Sequence, residues 1–284
     1  MSASAKANLY ALGAIALWAV LASLGVALRH VPPFLLTGIA LLIGSLPSWP
    51  LVARQPRLWA IAPGTLALGV YGLFGFHFLL FMALRIAPPV EANLVNYLWP
   101  LFIVVLAPLL LRGLRLHAAH VVAALLGFAG AAVAILGARQ GDGGGWSWGY
   151  LLALGSALIW ASYSLMTRRV AAFPTAAVGL FGLISGLLSL VCHALLEPPA
   201  TLAVRDWLLL AAMGLGPLGA AFYLWDRALK LGDARHIGIL SYLTPLLSTA
   251  LLMAVSGRAL SWSVGLAAAM IIGAALLGTR SRAD

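Results

Sequence analysis

Ten apolar stretches, each about long enough as a helix to cross the hydrocarbon core of a bilayer, follow one another almost without pause along this 284-residue chain. They fall near residues 8–28, 34–53, 63–85, 89–111, 118–137, 147–167, 174–196, 207–229, 235–256 and 261–279, separated by charges and by Pro or Gly breaks. Val121–Leu136 and Val264–Leu277 are apolar on every face, which excludes the alternating pattern of a transmembrane β-barrel. Ten spans of about 21 residues use about 210 and leave about 74 for loops and tails, so no soluble domain fits beside them. Composition agrees, with 63% apolar and 8% charged residues and a mean hydropathy of +1.04, far from the balance of a soluble domain. The predicted fold is an all-α integral membrane protein with ten transmembrane helices.

The formal net charge of +10 does not make nucleic acid a partner, because the basic residues are scattered singly or in pairs with no basic stripe. They read instead as topology signals. With the N-terminus inside, Lys6, Arg54, Arg57, Arg112, Arg115, Arg168, Arg169, Arg227, Lys230, Arg235, Arg280 and Arg282 fall on the inner side, against Arg29, Arg85, Arg139, Arg205 and Arg258 outside. Twelve against five predicts cytoplasmic N- and C-termini, and membrane lipid is the expected surrounding partner. The segment Asn8–Leu28 is longer than the roughly 7–15 residues of a signal-peptide core and is read as the first span. Cys192 is the one cysteine, so no internal disulfide forms, and its apolar run makes it a packing residue.

Sliding the chain against itself shows a duplication. At an offset of 142, Ala11-Leu12-Gly13 with Trp18-Ala19 falls on Ala153-Leu154-Gly155 with Trp160-Ala161. At 145, Ala83-Leu84-Arg85 falls on Ala228-Leu229-Lys230, and Tyr97-Leu98-Trp99-Pro100-Leu101 on Tyr242-Leu243-Thr244-Pro245-Leu246. At 143, Gly130-Ala131-Ala132 falls on Gly273-Ala274-Ala275. Each half holds five spans, an odd number, so the second half enters the membrane from the opposite side. Two inverted five-helix repeats result, residues 1–140 and 147–284, joined by a Gly-rich linker at 141–146 that composition makes flexible. Inverted repeats are a recurring plan of secondary transporters, with a midplane site that opens to either side in turn.

These paired segments resemble the EamA repeats of the drug/metabolite transporter superfamily over nearly the whole chain. The run Glu91-Ala92-Asn93-Leu94-Val95-Asn96-Tyr97-Leu98-Trp99-Pro100 is similar in particular to the YddG-like branch. That resemblance implies export of aromatic and other neutral amino acids across the inner membrane.

Candidate site residues follow from polar groups in apolar helices, which usually face a bundle interior or a cavity. Asn93, Asn96, Tyr97 and Pro100 share one helical face, and Gly238, Ser241, Tyr242 and Pro245 share the matching face of the ninth span. Each proline removes the N–H that the carbonyl four residues earlier would accept, so Asn96 and Ser241 are expected to offer free carbonyls to an ammonium group. The alternative is a plain helix kink with the Asn side chains bonding neighbouring helices. Trp18 and Trp160 sit among small residues on the first and sixth spans, Ser164 sharing the face of Trp160, and either line a pocket or pack closely. Trp99 and Trp207 also suit an interfacial belt.

His77 is the histidine placed deep in a span, and it suits proton coupling, a substrate carboxylate or a neutral cross-helix bond. Tyr71 and Phe78 share a face of the third span, and Tyr223 stands at the position equivalent to Phe78. Such rings fit a planar substrate. Gly182, Gly186, Gly214 and Gly219 are expected where helices approach closely.

No His-Glu-x-x-His, no Gly-x-Ser-x-Gly elbow and no pair of intramembrane aspartates is present, so the chain is not read as an enzyme. His117 and His120 lack a carboxylate partner for a metal, no cofactor is implied, and no charged ring suits a channel. With neither carboxylate nor fixed cation at mid-membrane, a neutral or zwitterionic substrate is expected. Another small metabolite, an amphipathic drug, or a non-transporting receptor or assembly subunit are the alternatives.

Overall fold

The computed structural model describes residues 2–114, 116–137, 146–255 and 262–280. The Gly-rich linker at 141–145 and the topology signals Arg115, Arg139, Arg258 and Arg282 lie outside these residues. Among the described residues the chain is helical, with no strand. Among the described residues eight segments are long and apolar enough to cross a membrane: α1 (Ala3–Ala27), α2 (Pro33–Arg54), α3 (Pro63–Ile86), α4 (Glu91–Leu110), α6 (Gly149–Met166), α7 (Ala177–Leu196), α8 (Val204–Leu231) and α9 (Ala234–Val255). Two further helices, α5 (Ala118–Gly137) and α10 (Trp262–Arg280), are also apolar. The helix ends follow the expected runs to within a few residues. α1 begins earlier because the Ser2 hydroxyl accepts the Ala5 N–H at 3.2 Å and caps it.

The helix packing maps onto itself when the halves are exchanged. α1 packs on α8 as α6 packs on α3, α4 packs on α6 as α9 packs on α1, and α5 pairs with α10 and α2 with α7. Irregularities repeat too. A π-turn interrupts α3 at Tyr71–Gly75 and α8 at Gly216–Ala220, 145 positions later. α4 breaks between Asn96 and Trp99, and α9 breaks between Leu240 and Leu243, each one turn before or at its proline.

Counterpart helices run in opposite directions. The end of α3 accepts a hydrogen bond from Ser147, just before α6, at 2.7 Å, while Arg85 donates to the Leu196 carbonyl at the end of α7 at 3.0 Å. The Glu197 carboxylate accepts the N–H groups of Phe34 and Leu35 at the start of α2. His30 after α1 meets Asp206 in the first turn of α8 at 3.1 Å. One face therefore holds the end of α1 and the start of α6, so the second repeat is inverted relative to the first.

Glycines set the tightest crossings. A side chain at Gly44 of α2 would strike the carbonyls of Leu218 and Gly214 on α8, and one at Gly186 of α7 would strike the Gly38 carbonyl on α2. In lipid, where apolar burial gives no net preference for a partner helix, such close backbone contact supplies packing attraction.

Candidate functional site

Between the halves lies a cavity of about 410 Å³. Trp18, Ala22 and Gly25 of α1, Thr37 of α2, and Phe76, His77 and Phe81 of α3 form part of its wall. Asn93, Asn96, Tyr97 and Trp99 of α4, Trp160 of α6, Pro217 and Phe222 of α8, and Thr244 and Ser248 of α9 form the rest. Arg29, Val31 and Pro33 at the α1–α2 connection also line it, so its mouth lies on the face that holds the end of α1 and the start of α6.

The floor is aromatic. Trp18, Trp99 and Trp160 line it and the buried Trp225 backs them, one cluster from four helices with centroid separations from 5.2 Å for Trp18–Trp225 to 6.5 Å for Trp18–Trp99. Trp160 stacks on Trp225 at 6.2 Å, and Phe222 meets Trp160 at 5.6 Å. Edge-to-face rings of this kind hold one another while leaving faces and edges for a further ring.

Two ring nitrogens are fixed by the π-turns. A π-turn breaks the i→i−4 ladder and leaves carbonyls short of their usual donor. His77 Nδ1 bonds the Leu73 carbonyl of the first π-turn at 2.6 Å, and Trp18 Nε1 donates to the Pro217 carbonyl of the second at 3.0 Å. A carbonyl only accepts, so Nδ1 carries the His77 proton and Nε2 is left as the acceptor in a neutral ring. On α4, Asn96 Oδ1 lies 2.8 Å from the Ser156 hydroxyl of α6, a bond that orients the amide. The hydroxyls of Thr37 and Thr244 are buried against the cavity with no hydrogen-bond partner among the described residues.

The structure brings Trp18, His77, Asn93, Asn96, Tyr97 and Trp160 together on the cavity wall. The other six predicted residues do not line it. Tyr71 points away and meets the Ser162 hydroxyl at 2.8 Å near the surface, and Phe78 packs on Phe34 and Phe74. Ser164 accepts from Trp225 Nε1 at 3.1 Å, holding the floor from behind. Tyr223 donates to the Gly44 carbonyl at 3.1 Å at the α2–α8 crossing. Ser241 donates to the Gly238 carbonyl at 2.6 Å, and the Tyr242 ring lies on Gly127 of α5.

The expected free carbonyl of Ser241 is not free: the Thr244 N–H takes it at 3.0 Å, because the helix break lets a tighter turn form. Trp99 stands in the cavity floor rather than in an interfacial belt. Phe222, Thr37 and Thr244 escaped the sequence reading. The repeat held a signal for one of them, since an offset of 145 carries His77 onto Phe222 and brings that position into view.

Residues 5–136 and 147–280 each match the EamA-like transporter family. The chain belongs to that family. It is thus a multi-pass membrane transporter of the drug/metabolite superfamily and not an enzyme. A protein of Ancylobacter novellus named "Aromatic amino acid exporter YddG" is 43% identical over 286 residues, covering 96% of this chain and 97% of that protein. One of the same name from Escherichia coli is 28% identical, covering 96% of each chain. A crystal structure with 40% sequence identity superposes with a TM-score of 0.92, covering 99% of this chain and 100% of that one.

Proposed function

We propose that the chain exports neutral amino acids, aromatic ones above all, by alternating access through the cavity between its repeats. The observation that carries this reading is the cavity itself: an aromatic floor with neutral polar groups above it, and Arg29 at the mouth as the charged side chain among its described lining residues. A volume of about 410 Å³ suits one small molecule. The tryptophan and phenylalanine rings offer apolar and edge contacts to a planar side chain. Asn96, Thr37, Thr244 and the Nε2 of His77 offer hydrogen bonds to a carboxylate and an ammonium. The N-terminus of the half-helix Trp99–Leu110 faces back toward the mouth, while the half-helix Ala234–Leu240 ends toward it. Opposite dipole ends near one cavity complement a zwitterion. The relatives named as aromatic amino acid exporters support the same substrate class.

In this reading the chain spans the cell's inner membrane ten times with cytoplasmic termini. Residues 1–140 and 147–284 are the repeats and 141–146 the linker. The mouth faces outward, and the substrate contacts are Trp18, His77, Asn93, Asn96, Tyr97 and Trp160. The test is ligand binding by purified protein: tryptophan and phenylalanine are expected to raise its melting temperature, and lysine and glutamate are not. Equal stabilisation by all four would remove the neutral aromatic assignment.

A further inference from the structure

On the face opposite the cavity mouth, where α4 and α6 end, a second concavity of about 660 Å³ is lined by Leu111, Arg112, Leu114, Arg168 and Arg169. The three arginines are exposed, whereas Leu111 is buried and Leu114 half-buried. Gly113, with φ of 81°, turns the α4–α5 connection between the two leucines. None of the three guanidinium groups pairs with a carboxylate among the described residues. On the same face Asp226 holds Lys230 at 2.7 Å and Thr175 at 2.6 Å, and Asp233 holds Arg235 at 2.6 Å. One Arg168 nitrogen donates to the Gly232 carbonyl at 3.3 Å, which leaves the rest of its fork for a ligand.

Three guanidinium groups in one concavity create a strong positive potential that an oxyanion relieves, and the planar fork of arginine matches phosphate in a bidentate way. That chemistry fits both a soluble phosphate and the phosphate of a lipid headgroup. The leucine base distinguishes them. A free ion has no use for an apolar floor, whereas a lipid lays its glycerol and upper acyl carbons there. The concavity also stands at helix ends, where headgroups of that leaflet lie, and basic pockets between membrane helices collect anionic headgroups. We propose that this pocket binds the phosphate of an acidic phospholipid.

The experiment uses delipidated full-length protein in detergent, with binding of phosphatidylglycerol, phosphatidylcholine and inorganic phosphate read by native mass spectrometry and thermal shift. Phosphatidylglycerol is expected to bind and stabilise, and phosphatidylcholine is not. Each of Arg112→Gln, Arg168→Gln and Arg169→Gln is expected to weaken phosphatidylglycerol binding about fivefold, and the triple variant on the order of a hundredfold. A triple Arg→Lys variant keeps the charges that orient the chain and is expected to retain part of the binding, so a folding failure of the glutamine triple leaves the test intact. Equal binding of phosphatidylcholine, or unchanged affinity in both the single variants and the lysine triple, overturns the proposal. Binding of inorganic phosphate as tight as that of phosphatidylglycerol also overturns it, assigning the pocket to a soluble anion.

Discussion

Thr37 and Thr244 bury hydroxyl groups against the cavity without a hydrogen-bond partner among the described residues. A buried hydroxyl left unpaired costs about 1–3 kcal/mol, a cost that a bound substrate relieves. Thr37→Val and Thr244→Val keep the shape and remove the polar atom, so each is expected to leave the melting temperature unchanged or raised while weakening substrate binding about five- to tenfold. Thermal unfolding with and without tryptophan checks both halves of this prediction. Asn96→Ala is a milder change than its burial implies, because the Ser156 hydroxyl has the Ala153 carbonyl at 2.8 Å to turn to.

At the scale of helices, the α2–α8 crossing and the far-side closure make separate predictions. Gly44→Ala places a methyl group against the backbone of Leu218 and Gly214, which cannot rotate away, so it is expected to destabilise the fold by about 1–3 kcal/mol. Gly265→Ala, with nothing within 4 Å of the added carbon, is the tolerated control, and thermal unfolding in detergent compares them. Opposite the mouth, Lys230 donates to Asp226 and, at 2.9 Å, to the Phe173 carbonyl, and it lies 4.0 Å from the centre of the Phe173 ring. With Thr175 on the same carboxylate, this network ties the α6–α7 connection to the end of α8. Inward opening has to part them. Asp226→Asn is expected to shift the equilibrium about tenfold toward that state, since it weakens a half-buried pair by about 1–2 kcal/mol. Spin labels on Ala171→Cys and Leu231→Cys in a Cys192→Ser background should then report a longer distance. An unchanged distance would mean that the network is not a gate.

For the molecule as a whole, the exchange symmetry of the packing supplies the physical basis of transport. Two inverted halves with equivalent contacts can trade conformations, giving an outward-open and an inward-open state of similar energy. The helices were readable from the sequence because every run from Asn8 to Leu277 had to meet the same bilayer length, and the duplication was readable because it left Trp18 on Trp160 and Tyr97 on Tyr242. The site was readable only in part. Polar residues in apolar runs drew notice to His77 and Asn96, but Phe222 and Trp225 carry no such mark. The need of Thr37 or Thr244 for a partner was hidden too, since a threonine hydroxyl often bonds its own helix. Repeat symmetry relates backbones more closely than side chains. Tyr242 fills the space over Gly127, whereas the register of the repeats puts Met270 at the matching position, and Tyr97 lines the cavity instead. The π-turns were invisible because a widened turn in a uniformly apolar run depends on which neighbour takes the displaced carbonyl. Outward transport of neutral aromatic amino acids through this cavity is open to a direct measurement, the release of labelled tryptophan, phenylalanine, threonine and methionine from liposomes holding the purified protein. Tryptophan and phenylalanine are expected to leave faster than from protein-free vesicles, with the rate cut by Trp160→Ala and Asn96→Ala in folded protein. Release of none of the four, or rates unchanged in both variants, would contradict it.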